Sequence, residues 1–300
     1  MSNIAYAVPM TTITSGDAAS ARRPGLAGRT LLMSGGSRGI GLAIAKRAAV
    51  DGANIVMLAK TGEPHPKLPG TVFSAAEQIE AAGGRALPIV GDVRRDDDVA
   101  RAVRQALETF GRIDIVVNNA SAIDLSRTDQ IDMKRYDLMQ DINARGTFLL
   151  SKLALPALRE AARGGSPAHI LTLSPPLNLE PKWAGAHLAY TMAKYAMSLV
   201  TLGLAEELKE EGIAANSLWP QTLIDTAAIR NLPHGGVNPG ASRSPDIVAD
   251  AAHAILTSDP RTTTGHFFTD EEALRRVGVT DFSRYSLGKP EEALERDIFL

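Results

Sequence analysis

Cysteine is missing from all 300 residues of the chain. Its absence excludes disulfides and thiol catalysis and removes the usual ligands of structural zinc, so no metal site is expected. An excess of charge of one sign is also lacking: 32 basic against 34 acidic side chains leave a formal net charge of −2. Without a basic stripe, nucleic acid and anionic membrane surfaces are poor partners. No apolar run approaches the roughly 20 residues of a membrane-spanning helix. Arg22-Arg23 is followed by Pro-Gly-Leu-Ala-Gly-Arg rather than by an apolar segment, so a twin-arginine export signal is not formed. A cytoplasmic location is the expectation. With 44% apolar and 22% charged residues, the chain has the composition of an ordinary globular protein with ample core.

Residues 1–27 are rich in Ala, Ser, Thr, Gly and Pro and show no apolar periodicity. That predicts a flexible tail followed by one domain over 28–300. From Thr30 onward, short apolar runs alternate with helical patterns. Strands are expected at 30–34, 54–59, 86–90, 113–117, 169–174 and 213–219. Helices are expected at 39–51, 71–82, 96–110, 134–162 and 187–211, with Pro156 kinking or interrupting the fourth. The alternation implies right-handed crossovers and an α/β fold, a Rossmann-type doubly wound parallel sheet in a single domain. Ligands of such sheets lie beyond the carboxyl ends of the strands. Gly35, Lys60, Asp92, Asn118 and Ser174 all fall on that rim.

The turn Ser34-Gly35-Gly36-Ser37-Arg38-Gly39-Ile40-Gly41 joins the first strand to the first helix. Gly35 permits a tight turn, Gly39 lets backbone approach a pyrophosphate, and Gly41 lets helix and strand pack closely, while the helix N-terminus attracts negative charge. It reads as a dinucleotide site. A carboxylate after the second strand would bind the ribose hydroxyls of NAD, but Lys60 stands there, and Arg38 adds a cation within the turn. Two cations and no acid favour NADP(H). Tyr190 and Lys194, set as Tyr190-Thr-Met-Ala-Lys194, share one face of a helix, one turn apart. An ammonium beside a phenol favours the phenolate and lowers the Tyr pKa from about 10. The pair is then a proton donor and acceptor usable near neutral pH, as hydride chemistry at a carbonyl requires.

The Gly-x-x-x-Gly-x-Gly spacing, the run Asn118-Asn119-Ala120 and the Tyr190/Lys194 pair together resemble the short-chain dehydrogenase/reductase family, over residues 29 to about 270. The resemblance implies that Tyr190 exchanges a proton with the substrate oxygen and that Lys194 binds the nicotinamide ribose. It implies that Asn143, in Asp141-Ile-Asn143-Ala-Arg-Gly-Thr, holds a relay water. Asp92 would accept from the adenine amino group with Val93 beside the ring, Asn119 and Ala120 would line the ribose, and Ser37 and Ile40 would complete the contacts of the turn. Two departures stand out. The family serine falls at Leu177 here, and the one hydroxyl at the end of strand five is Ser174, followed by Pro175-Pro176. Either an enlarged loop brings Ser174 into that role or another donor, such as Asn178, holds the substrate oxygen. Beyond the sixth strand the usual Pro-Gly is replaced by Trp219-Pro220-Gln221-Thr222. The backbone of Leu223 and Ile224 would then hold the carboxamide, with Thr222 or Thr226 on phosphate and Pro220 among the cofactor-binding residues. Segments 60–71, 174–178 and 264–270 narrow the likeness to one subgroup, whose longer members carry a sterol-carrier domain.

The expected function is an NADP(H)-dependent oxidoreductase that interconverts a ketone or aldehyde and its alcohol. Leu177, Leu179, Trp183 and segment 223–232 suggest an apolar substrate. A nucleotide-binding scaffold or redox sensor with vestigial chemistry is the alternative from another class, favoured by the irregular serine. Enoyl reduction is a third, disfavoured because relatives with that chemistry space Tyr and Lys more widely. Met139, Ile142, Phe148, Leu149 and Leu153 on one long helix, and Met192, Met197, Leu199, Leu202 and Leu204 on the other, exceed what one sheet face needs. The excess predicts a homodimer or homotetramer.

Overall fold

The computed structural model describes residues 25–64, 69–230 and 239–300. Most of the expected tail, residues 65–68 and the 231–232 end of the apolar segment lie outside the described residues. Leu26, assigned to the tail by composition, is fully buried, and its N–H donates to Asp51 Oδ2 at 2.8 Å. The packed chain therefore starts earlier than residue 28.

Seven parallel strands form one sheet among the described residues, in the order β3-β2-β1-β4-β5-β6-β7. They are β1 (Thr30–Ser34), β2 (Asn54–Ala59), β3 (Arg85–Val90), β4 (Ile115–Asn118), β5 (Ala168–Thr172), β6 (Ile213–Trp219) and β7 (Phe267–Thr269). The helices are α1 (Gly39–Val50), α2 (Val72–Ala81), α3 (Asp96–Phe110), α4 (Met133–Met139), α5 (Gly146–Arg163), α6 (Pro181–Ala186), α7 (Leu188–Glu207), α8 (Ala227–Arg230), α9 (Asp246–Leu256) and α10 (Asp270–Arg275).

Alternation of side chains along each strand builds two separate cores. Leu31, Met33, Ile55 and Val117 pack with Ile44 of α1 and Ile247 and Ile255 of α9 on one face. Leu32, Val56, Val116 and Ile170 pack with Val99 of α3 and Leu150 and Leu158 of α5 on the other. Being buried on both faces, β1, β2, β4, β5 and β6 read as continuous apolar runs in the sequence, whereas the edge strand β3 is only partly buried. The chain reverses direction across the sheet between β1 and β4, so a ligand crevice opens at the carboxyl ends of that pair.

The expected α/β doubly wound architecture is what the chain adopts. Pro156 does not interrupt α5. The apolar face Leu149, Leu150, Ala154, Ala157 and Leu158 is buried continuously across it, and this packing outweighs the one hydrogen bond that proline removes. The expected long helix instead changes character at Gln140–Arg145, a π-helical turn between α4 and α5. No helix among the described residues is long and apolar enough to cross a membrane.

Candidate active site

The Gly turn is held against the end of β4 by a compact set of bonds. Asn119 Nδ2 donates to Gly35 O at 2.6 Å and to Ser34 O at 3.2 Å, while Ser34 Oγ accepts from the N–H groups of Asn119 and Ala120 at 3.3 and 3.1 Å. Gly35 and Gly39 adopt φ of 78° and 55°, conformations that L side chains rarely tolerate. A Cβ at Gly41 would lie 2.5 Å from both Asn119 Nδ2 and Gly35 O. Helix α1 begins behind the turn with Arg38 as N-cap, without a side-chain cap and with no acid in its first turn. Gly39, Ile40 and Gly41 of that first turn line an opening, and an uncapped helix start attracts negative charge there.

The opening continues as a cleft of about 450 Å³. Gly35, Ser37, Arg38, Gly39, Ile40, Gly41, Lys60, Asp92, Val93, Asn119 and Ala120 all line it. Eleven positions expected to contact the cofactor are thereby brought together. Lys60 reaches Asp92 at 3.3 Å and is 60% exposed, while Arg94 grips the same carboxylate at 2.6 Å. Burial alone would raise the Asp92 pKa, but the bonds from Arg94 and the charge of Lys60 hold it down at about 2. Arg38 Nη2 donates to Gly70 O at 2.8 Å, and its Nε is buried with no partner. Burial lowers its pKa. The tight glycine turn, the uncapped start of α1 and the cations Arg38 and Lys60 on the cleft wall fit a dinucleotide with its phosphates at the turn.

Tyr190 and Lys194 project from α7 into a second cavity of about 440 Å³, predominantly apolar, whose walls include Ile123, Leu173, Trp219, Leu223 and Ile229. Ile40, Asn119, Ser121 and Thr226 line both spaces, so the cavity and the cleft share a wall. Tyr190 is 4% and Lys194 3% exposed. Lys194 Nζ donates to Leu173 O at 2.9 Å and sits 5.2 Å from the Trp219 ring centroid. Burial lowers its pKa to about 7, opposed by Asp297. The Tyr190 pKa is raised rather than lowered, first by burial and then by the nearby charge of Asp297. The expected depression of the phenol by Lys194 is therefore not present here, because desolvation dominates and the ammonium is drawn toward Leu173.

Asn143 occupies the π-helical turn, fully buried, with Oδ1 accepting from Ala122 N at 2.8 Å and Nδ2 donating to Ala122 O at 3.0 Å. It clips the loop after β4 and does not itself line either cavity. Ser174 does not face the cavity. It is 0% exposed, and its Oγ is 2.8 Å from Ser217 Oγ, which in turn donates to Thr201 at 3.0 Å. Strand β5 ends at Thr172, and Ser198 Oγ pins Pro175 O at 2.6 Å. In this register Leu173 faces the cavity and its neighbour Ser174 the opposite side. Asn178 is also engaged, donating through Nδ2 to Phe299 O at 3.2 Å and accepting at Oδ1 from Glu180 N at 3.1 Å.

Of the other positions expected on the cofactor, Lys194 and Pro220 line the Tyr190 cavity and not the Gly-turn cleft, and Thr222 lines neither space. Thr222 is bridged to Arg296, and its Oγ1 is buried without a partner. Thr226 is the threonine at the shared wall. Leu179 is 83% exposed, and neither it nor Leu177 lines the cavity. Apolar character comes from Leu223, Ile224 and Ile229 of the expected segment and from residues 294–300, which no motif marks. Asp297 and Ile298 line the cavity. Phe299 is buried at 5.3 to 6.1 Å from the rings of Trp183, His187, Tyr190, Tyr195 and Trp219. The available signal was Ile298-Phe299-Leu300, an apolar run after a charged stretch.

A family model for short chain dehydrogenases matches residues 29–235. Hydroxysteroid dehydrogenase-like protein 2 of Xenopus tropicalis is 54% identical over 275 residues, covering 92% of this chain and 64% of that protein. The human protein of the same name is 51% identical over equal shares. The chain thus spans a little under two thirds of the length of these curated relatives. A short chain dehydrogenase from Mycobacterium thermoresistibile superposes with a TM-score of 0.85 at 51% identity, covering 92% of this chain and 96% of that one. A metagenomic short-chain oxidoreductase solved with NADP has a TM-score of 0.66 at 25% identity, over 81% and 97% of the two chains.

Proposed function

The chain belongs to the short-chain dehydrogenase/reductase family, and from that premise we propose that it is an NADP(H)-dependent oxidoreductase interconverting an apolar ketone or aldehyde and its alcohol. The observation that carries the reading is the shared wall of Ile40, Asn119, Ser121 and Thr226, which sets the Tyr190 cavity against the Gly-turn cleft. When bound, the nicotinamide cofactor supplies or accepts the hydride. The residues of the turn, the α1 N-terminus, Asn119 and Ala120 would hold it, and Arg38 and Lys60 would pair with a 2′-phosphate.

Tyr190, protonated at neutral pH, is suited to give its proton to the oxygen of a carbonyl as it becomes an alkoxide. Lys194 has two tasks in this reading: to hold the ribose and, once its Nζ leaves Leu173 O for the phenolate formed on Tyr190, to lower the cost of that phenolate. The buried, low-dielectric setting strengthens that charge interaction relative to water. Asn143 acts by fixing the loop around Ala122 at the edge of the site. The walls at Leu173, Leu223, Ile224 and Ile229 exclude water and select an apolar substrate. A nucleotide-binding scaffold with weak catalysis is the second reading, favoured by the position of Ser174 outside the cavity.

Cofactor oxidation measured across a panel of apolar ketones and aldehydes tests the two. Turnover of at least one member above the background of cofactor alone supports the oxidoreductase, and NADPH binding without any turnover supports the scaffold. We also propose a homodimer or homotetramer. Met139, Met197 and Leu204 are buried within the chain, but Phe148, Leu188, Met192 and Leu199 remain 40 to 57% exposed on α5 and α7, and a second copy covers them. Light scattering above the 31.8 kDa of one chain checks this.

A further inference from the structure

Carbonyl reduction benefits from a second hydrogen-bond donor on the substrate oxygen beside the proton-transferring tyrosine. Both groups expected to supply it are committed elsewhere: Ser174 to Ser217, and Asn178 to Phe299 and Glu180. Asp297 occupies the wall of the same cavity as Tyr190 and Lys194 and retains partial accessibility.

Its position is built rather than incidental. Asp297 N donates to Gln221 O at 3.2 Å, and Leu223 N to Glu295 O at 2.9 Å. Trp219 Nε1 donates to Ile298 O at 2.9 Å, and Asn178 Nδ2 to Phe299 O at 3.2 Å. Phe299 stacks on the Tyr190 ring at 6.1 Å with 26° between planes, adopting φ of 76° to do so. Asp297 Oδ1 accepts from Ile298 N at 2.7 Å, so a proton on this carboxyl belongs on Oδ2.

We propose that Asp297 is a catalytic residue whose protonated carboxyl donates a hydrogen bond to the substrate oxygen, in the place that Ser174 leaves vacant. The proposal rests on the carbonyl–alcohol reading above. The carboxyl keeps its proton throughout, and the proton that is transferred comes from Tyr190. Apolar surroundings are known to keep a carboxylic acid neutral at pH 7 for such donation. Here burial and the neighbouring charge of Asp270 push Asp297 up to about 7, and Lys194 opposes them. The groups facing it are Tyr190 and Lys194 from α7 and Asp270 from α10, with Asp124 and Arg135 on the cavity wall.

Two measurements test it. The first is an infrared difference between the whole protein and its Asp297→Asn variant, titrated with pH, which reads the protonated carboxyl directly and needs no substrate. A protonated signal at pH 6 that fades through neutrality is expected, and a carboxylate already ionised at pH 5 overturns the proposal. The second compares variants on any carbonyl that the parent reduces. Asp297→Ala should lower kcat by about 10² to 10³-fold, the range for losing one such donor, with NADPH affinity unchanged. Asp297→Asn, which keeps an N–H donor, should recover most of that loss, and Ser174→Ala should stay near the parent. Collapse on Ser174→Ala with Asp297→Ala near the parent overturns the assignment. If the parent reduces no carbonyl, the oxidoreductase reading fails while the infrared titration still decides the state of Asp297.

Discussion

The cleft at the Gly turn takes its walls from residues 35–142 plus Thr226 and Ala227, whereas the Tyr190 cavity draws on segments as far apart as Ile40 and Ile298. The cleft is open and lined by cations, and its one carboxylate among the described residues, Asp92, is doubly paired. The cavity is apolar and gathers a buried amine, a buried phenol and a partly accessible carboxyl, each displaced from its ordinary titration range by desolvation. A surface built by a local turn can be made from a few glycines and one helix start. A desolvated reaction chamber needs walls from distant elements, and those walls set its chemistry. Cofactor binding and turnover should therefore respond to separate sets of substitutions.

The largest separation is expected at Tyr190. Tyr190→Phe removes the transferable proton with little change in volume, so turnover should fall by about 10² to 10⁴-fold, the usual worth of positioned acid–base catalysis. NADPH affinity should stay within a factor of two or so of the parent, since the ring lies outside the cleft. Steady-state rates beside a fluorescence titration of NADPH check this, and a near-parental rate in Tyr190→Phe would sink the mechanism.

Phe299 comes next and acts on stability. Its left-handed backbone costs about 1–2 kcal/mol. Burial of a phenylalanine returns about 1.5–3 kcal/mol, and each well-placed ring pair about 0.5–1.5 kcal/mol more, so the docking wins. Phe299→Ala keeps the strained backbone and loses the ring, and should lower the unfolding free energy by about 3 kcal/mol. Denaturant unfolding measures it. The same variant should loosen Asp297 and depress kcat while leaving the cleft intact. Parental stability would show that the aromatic cluster around Phe299 contributes little to holding the cavity closed.

The same contrast explains which features are legible in the sequence. The Gly turn, Lys60, Asp92 and Asn119 lie at strand ends, and an apolar strand followed by glycine announces its own end. Seven-residue β6 was legible and three-residue β7 was not, because Phe267–Thr269 is too short to show a period. The role of Ser174 could not be read because it lies just past β5, where its N–H folds back onto Thr172 O and its hydroxyl meets Ser217 instead of the cavity. The phenol shift was misjudged because spacing shows that Tyr190 and Lys194 are neighbours but not that both are desolvated. Asp297 carries no local pattern at all. Its role is created by a contact between residues 294–300 and 219–223 that only the folded chain makes.

Lys60 offers the smallest and most specific test, confined to the cleft. Its bond to Asp92 at 3.3 Å is largely exposed, and such pairs are worth about 0.2–1 kcal/mol. Arg94 keeps Asp92 paired when Lys60 turns away, since Arg94 Nε contacts both carboxylate oxygens at 3.1 and 3.0 Å. Redirecting Lys60 to a 2′-phosphate therefore costs little, while a charge-assisted hydrogen bond returns about 1.5–3 kcal/mol. The balance predicts NADPH binding at least about tenfold tighter than NADH, equivalent to roughly 1.4 kcal/mol. Lys60→Asp removes the attraction and places a second carboxylate beside Asp92, so it should narrow the ratio by about tenfold or reverse it, with Tyr190 chemistry unaffected at saturating cofactor. Calorimetric titration of both cofactors decides the matter. Equal or tighter binding of NADH by the parent would mean that Lys60 serves Asp92 alone and that the cations of the cleft do not select the cofactor.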